Sequence, residues 1–168
     1  MRRGGFTLME VMLVVLLIGI AAAAVTLRTR SPIHLAGLDD AIGEIAAADA
    51  LARQYAVGQD RPVQLVVTLA DSSIARTDPS GKEALGRTLQ LPNPFEIVAV
   101  LTNDQRVVSD SAAIGISRQG FGPSYAINLK SGPREDRWLV FLGMSGQMVQ
   151  CNDEQEARDI LRGSSQRL

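Results

Sequence analysis

Two hydrophobic patterns divide the chain. From Phe6 to Leu27 almost every position is apolar, and the seventeen residues from Val11 to Leu27 carry no charge. As a helix rising about 1.5 Å per residue, this run spans about 33 Å, close to a hydrocarbon core of about 30 Å, which predicts a single membrane crossing. Pro32 predicts a kink or break over Arg28 to Pro32, because it lacks a backbone donor and its ring crowds the carbonyl of Arg28. Helical spacing then resumes. Leu35, Leu38, Ile42, Ile45, Ala52 and Tyr55 fall near one stripe, with Asp39, Asp40, Glu44 and Arg53 mostly away from it.

From Pro62 the period shortens to two. Val63, Leu65, Val67 and Leu69 alternate with Gln64, Val66 and Thr68, a strand pattern that ends at Asp71 to Ser73. Further strands are predicted over Thr88 to Leu91, Phe95 to Leu101, Ile114 to Ser117, Tyr125 to Leu129, Trp138 to Leu142 and Gln147 to Cys151. Gly143 to Gly146 between the last two suits a hairpin. Asp153 to Arg162 reads as a short terminal helix, with Asp153 as N-cap and Gly163 as stop. A long helix followed by strands predicts an α+β fold with the helix packed on antiparallel sheets.

At 168 residues the chain has room for one domain and a short extra element. With 46% hydrophobic residues and a formal net charge of −1, it is neither a disordered chain nor a strongly basic nucleic-acid binder. Cys151 is the single cysteine, which leaves no intrachain disulfide and reads as a small buried apolar residue. The single histidine, His34, has no second ligand at metal spacing and no catalytic partner. Ser145 in GMSG lacks the GxSxG elbow and reads as a turn residue. Arg118 to Gly122, RQGFG, lacks the strand and helix start of a phosphate loop and reads as an interstrand loop. Asp153, Glu154 and Glu156 could face calcium, but they match helix-start signals equally and lack EF-hand spacing.

Arg2 and Arg3 before the apolar run place Met1 in the cytoplasm and the large domain outside, with Arg28 and Arg30 softening that bias. Three N-terminal segments share this orientation: a secretory signal cut near Ala21 to Ala24, a plain anchor, and a prepilin leader followed by a filament helix. Glu10 separates them. A carboxylate in an apolar membrane segment is costly and calls for a partner. Cleavage between Gly5 and Phe6 creates one, an α-amine four residues before Glu10 and on the same helical face. RRGGFTLMEVMLVVLLIGI resembles the class III leader of type IV prepilins and type II secretion pseudopilins. The resemblance implies cleavage after Gly5 by a prepilin peptidase, N-methylation of Phe6, and a Glu10 that neutralises the amine of a neighbouring subunit during filament assembly.

The soluble region adds to this. LARQYAVGQDRPVQLVV at Leu51 to Val67, ISRQGFGPSYAINL at Ile116 to Leu129 and RWLVFLGMSGQMV at Arg137 to Val149 resemble the H-type minor pseudopilins and FimT-like minor pilins. Ala70 to Ala113 and the helical tail after Cys151 depart from that pattern. The resemblance implies a pilin-like α+β fold, a long N-terminal helix packed on a globular antiparallel β domain of two sheets. The expected layout is a leader over 1–5, a transmembrane and filament-core helix over 6–27, its amphipathic continuation over 28–58, a periplasmic β domain over 59–151 and a tail with a short helix over 152–168. It further implies a structural subunit, not an enzyme, with no metal and no cofactor. Its partners would be a prepilin peptidase, other pseudopilins or pilins, the inner membrane crossed once, and secreted protein cargo. From Arg28 onward the chain has 15 Lys and Arg against 17 Asp and Glu, so nucleic acid is not an expected partner.

Overall fold

A computed structural model describes residues 8–102, 105–132 and 135–165, with the side chains of all these except 10, 19–36, 135 and 165. Helix α1 runs over Leu8–Gly58. It runs without interruption through Arg28 to Pro32, so of the kink or break expected there the break does not occur: the missing Pro32 donor removes one intrahelical bond without ending the helix. The boundary between the chain's two compact units falls within α1, after Gly37.

The first unit contributes an apolar helical surface. Leu8, Met9 and Val11 to Ile18 are all exposed, from 44% at Val14 to 82% at Met9. Among the described residues, no helix is long and apolar enough to cross a membrane. Much of the predicted span, Phe6 to Leu27, lies outside the described side chains.

In the second unit, β1 (Val63–Thr68), β2 (Ser73–Thr77), β3 (Leu89–Gln90), β4 (Phe95–Thr102) and β5 (Arg106–Val107) follow the helix. Then come β6 (Ser111–Ile116), β7 (Tyr125–Ser131), β8 (Glu135–Phe141), β9 (Met148–Cys151) and α2 (Glu154–Ser165). All strand pairs are antiparallel, in a four-stranded sheet ordered β3-β2-β1-β6 and a five-stranded sheet ordered β5-β4-β7-β8-β9. The fold is thus α+β with two antiparallel sheets, consistent with a pilin-like architecture.

Alternation decides what each strand buries. Val63, Leu65 and Val67 of β1 turn inward with Ala112, Ile114 and Ile116 of β6, and they meet Leu38, Ile42, Ile45, Ala52 and Ala56 of α1 in the main core. One face of the five-stranded sheet joins the same core through Ile97, Tyr125, Ile127, Leu129 and Phe141. Its other face forms a second core, where Ala99, Ala126, Trp138, Val140 and Cys151 meet Ala157 and Leu161 of α2. Buried on both faces, β7 reads as the unbroken run YAINL instead of an alternating one.

The predicted stripe on α1 holds at Leu38, Ile42, Ile45 and Ala52, which are buried, and at the half-buried Tyr55, while the Leu35 side chain lies outside those described. Asp153 caps α2 as expected, its Oδ1 accepting the Glu156 N–H at 2.8 Å. Gly163 does not end that helix, which continues to Ser165, where the Ser164 hydroxyl donates to the Leu161 carbonyl at 2.7 Å. The strand expected at Ile114 to Ser117 lies three residues earlier at its start, over Ser111–Ile116.

Candidate functional site

The residues expected to carry processing, Gly5 and Phe6, lie outside the described residues. Glu10 falls within α1, with its side chain outside those described, as is that of His34. Around Glu10 the helix presents Leu8, Met9, Val11 and Met12 uncovered. An apolar surface of this extent on a lone chain marks a place where lipid or another protein belongs.

The three soluble segments LARQYAV, SRQGFG and FLGMSG converge on one buried polar cluster. Asp49, only 1% exposed, sits one helical turn after Ile45 on the buried stripe. Its carboxylate accepts from Arg53 Nε at 2.6 Å, from Arg53 Nη2 at 3.3 Å and from the Tyr125 hydroxyl at 2.8 Å. Arg53 Nη1 donates to the carbonyls of Gly120 at 3.0 Å and Gly143 at 2.7 Å. One guanidinium therefore ties α1 to the β6–β7 loop and to the β8–β9 turn. Tyr125 stacks on Phe141, with ring centroids 4.9 Å apart. Burial raises the Tyr125 hydroxyl well above its ordinary pKa of 10.0, and the charge of Asp49 and the hydrogen bond to it push the same way.

The two glycine loops also lie backbone against backbone. The Gly122 N–H donates to the Gly143 carbonyl at 3.0 Å, and the Gly143 N–H donates to Ser124 Oγ at 3.0 Å. A Cβ at Gly143 would sit 2.0 Å from the Gly122 oxygen, so no side chain fits there. Gly146 has φ +67°, and a Cβ on it would meet Arg53 Cδ and Nε at 3.0 Å. RQGFG and GMSG thus act as a loop and a hairpin turn, with Ser145 Oγ accepting the Gln147 N–H at 3.2 Å.

The remaining candidates resolve into structural contacts. Glu154 pairs with Arg158 at 2.7 Å and with Arg106 at 3.4 Å, while Asp153 serves as the cap. Among the described residues no group of three or more His, Cys, Asp or Glu could hold a metal ion. A cleft of about 700 Å³ lined by Asp71, Ser72, Gln90, Asn93, Glu96 and Asp110 is polar. Its Ser72 hydroxyl accepts the Ile97 N–H at 3.0 Å, with neither histidine nor cysteine in its lining.

The family model for the prokaryotic N-terminal methylation motif matches residues 1–26. This supports a type IV pilin-like protein. The motif spans Gly5, Phe6 and Glu10 and implies processing by a prepilin peptidase, a membrane-anchored N-terminus and assembly with other pilins. It points to a structural subunit rather than an enzyme. No curated protein and no solved structure matches the chain.

The Asp49–Arg53–Tyr125 cluster is absent from the sequence-level expectations. Its signal was an acid at a stripe position four residues before an arginine, the spacing that brings two charges together on a helix.

Proposed function

We propose that this chain is a minor pseudopilin of the H type, a structural subunit of a type II secretion pseudopilus that assists protein export across the outer membrane. The observation that carries the reading is RRGGF followed by Glu10 within the methylation motif of residues 1–26. In this reading Gly5–Phe6 is the scissile bond, Phe6 the methylated residue and Glu10 the assembly group. The N-terminus is cytoplasmic and the β domain periplasmic. The uncovered apolar surface of Leu8 to Ile18 supports it, because a filament core or a bilayer would cover that surface. A FimT-like minor type IV pilin, acting in pilus assembly or DNA uptake, is the alternative. The small acidic excess after Arg28 disfavours its DNA-binding form.

Coexpression with a cognate prepilin peptidase tests the processing. The mature protein should begin at Phe6 by mass spectrometry, and a start near Ala24 or Val25 would replace the reading with an ordinary secretory signal. Glu10→Leu tests the assembly. In a lone anchor the change is harmless or favourable. In a filament it strips the counter-charge from a buried amine, at a cost of about 3–5 kcal/mol, which lowers association several hundredfold or more. The variant should be cut and inserted normally yet fail to support secretion. Wild-type secretion by Glu10→Leu would overturn the role given to Glu10, and lost piliation with intact secretion would favour the pilin.

A further inference from the structure

Strand β6 closes one side of the four-stranded sheet, and its backbone directions follow from the ladder. The Leu69 N–H donates to the Asp110 carbonyl at 3.0 Å, and the register continues through Val67↔Ala112, Leu65↔Ile114 and Val63↔Ile116. Antiparallel ladders bond alternate residues. Ala112, Ile114 and Ile116 therefore turn their backbone groups to β1, while Ser111, Ala113 and Gly115 turn theirs outward. Among the described residues, no strand pairs with that outer edge.

The edge also lacks the usual protections. SAAIGI carries no charge and no proline, and the side chains of Ser111 and Ala113 are small and exposed. Nothing lies within 4 Å of where a Gly115 side chain would be. The other sheet edges are shorter, two residues at β3 and β5 and four at β9.

We propose that the outer edge of β6 receives an extended, uncharged segment of a different pilin-like chain as a fifth strand. This rests on the pilin-like reading of the N-terminus. Outward N–H and C=O groups at a two-residue repeat are matched by the main chain of another strand. The edge offers no counter-charge, which suits an uncharged segment, and the small exposed side chains of Ser111 and Ala113 leave room for bulkier ones from it. A second copy fits poorly. A Cβ at Gly122 would lie 2.9 Å from the Gly115 oxygen, so the β6–β7 loop rests against that end. A symmetric β6–β6 ladder centred on Ala113 would need that end open in both copies. A foreign strand needs only Ser111 and Ala113 and runs on past Asp110.

The test places p-benzoylphenylalanine at Ser111 of the full chain in membranes. The chain is coexpressed with prepilin peptidase and, one at a time, with each other prepilin-type chain of the same cell. Irradiation should give an adduct with one of those chains, mapping to an extended uncharged segment. Ala113→Pro removes only an outward donor, and Ala113→Lys places a charge on the edge while leaving the backbone intact. Each should lower the adduct at least tenfold, with the melting temperature of Ala113→Lys unchanged. The proposal is overturned by no adduct with any chain, by an adduct with a second copy, by one mapping to a helix, or by one that survives both substitutions. Sequencing the mature N-terminus in the same samples separates the two readings. A start at Phe6 without an adduct defeats the edge alone, and a start elsewhere defeats the pilin-like reading and the edge proposal with it.

Discussion

Replacing Arg53 with alanine should unfold the β domain far more readily than its position on a helix surface pattern implies. The guanidinium is the only cation bonded to Asp49 among the described residues, and that carboxylate is 1% exposed. Truncation leaves the acid with the Tyr125 hydroxyl alone and strips donors from the carbonyls of Gly120 and Gly143. Breaking a buried pair from one side costs about 3–5 kcal/mol. A domain of this size holds about 5–15 kcal/mol in total. At about 3–4 °C per kcal/mol, the melting temperature should fall by roughly 10–20 °C. Tyr125→Phe removes one hydrogen bond to a charged group and should cost less, about 1.5–3 kcal/mol. Trp138, the single tryptophan and 4% exposed, gives the fluorescence signal for thermal unfolding of the full chain in detergent. Asp49→Asn combined with Arg53→Met should recover part of the loss, because no charge is then stranded. An Arg53→Ala protein melting within about 3 °C of wild type, or above Tyr125→Phe, would refute the assignment.

Three further outcomes are expected. The Tyr125 pKa is raised in the folded state, so its contribution is full below pH 10. Above that the unfolded chain loses the proton first, and stability falls as pH rises towards the folded pKa; base titration of Tyr125→Phe against wild type should lack this slope. Asp78, whose carboxylate accepts the Glu83 N–H, the Ser80 hydroxyl and the Ser80 and Lys82 N–H groups, is lowered to about 2. Its contribution is present above the ordinary 3.8 and is lost as pH falls through about 2, so a carboxyl NMR titration should show that midpoint, and Asp78→Ala should speed amide exchange at Lys82 and Glu83. Gly143→Ala puts a methyl 2.0 Å from the Gly122 oxygen and should cost 3 kcal/mol or more by about the scale of overpacked cores, read as a lowered urea midpoint.

The sequence made some layers plain because their period carried the signal. The Val63 to Leu69 alternation, the Leu38 to Ala52 stripe and the glycines bounding the β8–β9 turn each follow from one local rule. What stayed hidden depended on contacts distant in sequence. Strand β2 has no counterpart among the predicted strands, because Asp71 to Ser73 looks like the punctuation that ends β1. Its pairing with β1, Val67 opposite Ile74, is what orders it. Strand β5 is two residues long, too short for any periodicity. Gly163 sits inside α2 because tertiary contacts at Leu161 and Ser164 outweigh its cost of about 1 kcal/mol. Arg53 reads as a charge away from the stripe until Asp49, Tyr125 and the two loops close around it.

The second core gives the chain a built-in clock. Its single thiol, Cys151, is buried at 2% exposure beneath α2, with Ala157 and Leu161 in the same cluster. Burial raises the thiol's pKa, and the charges of Glu156 and Asp153 add to it, so the group is slow to react while the helix is docked. An excess of alkylating reagent therefore counts the openings of the α2 layer one molecule at a time, independently of the main core. A partner that grips α2 would slow that count, and one that peels α2 away would quicken it, with no residue of the protein substituted.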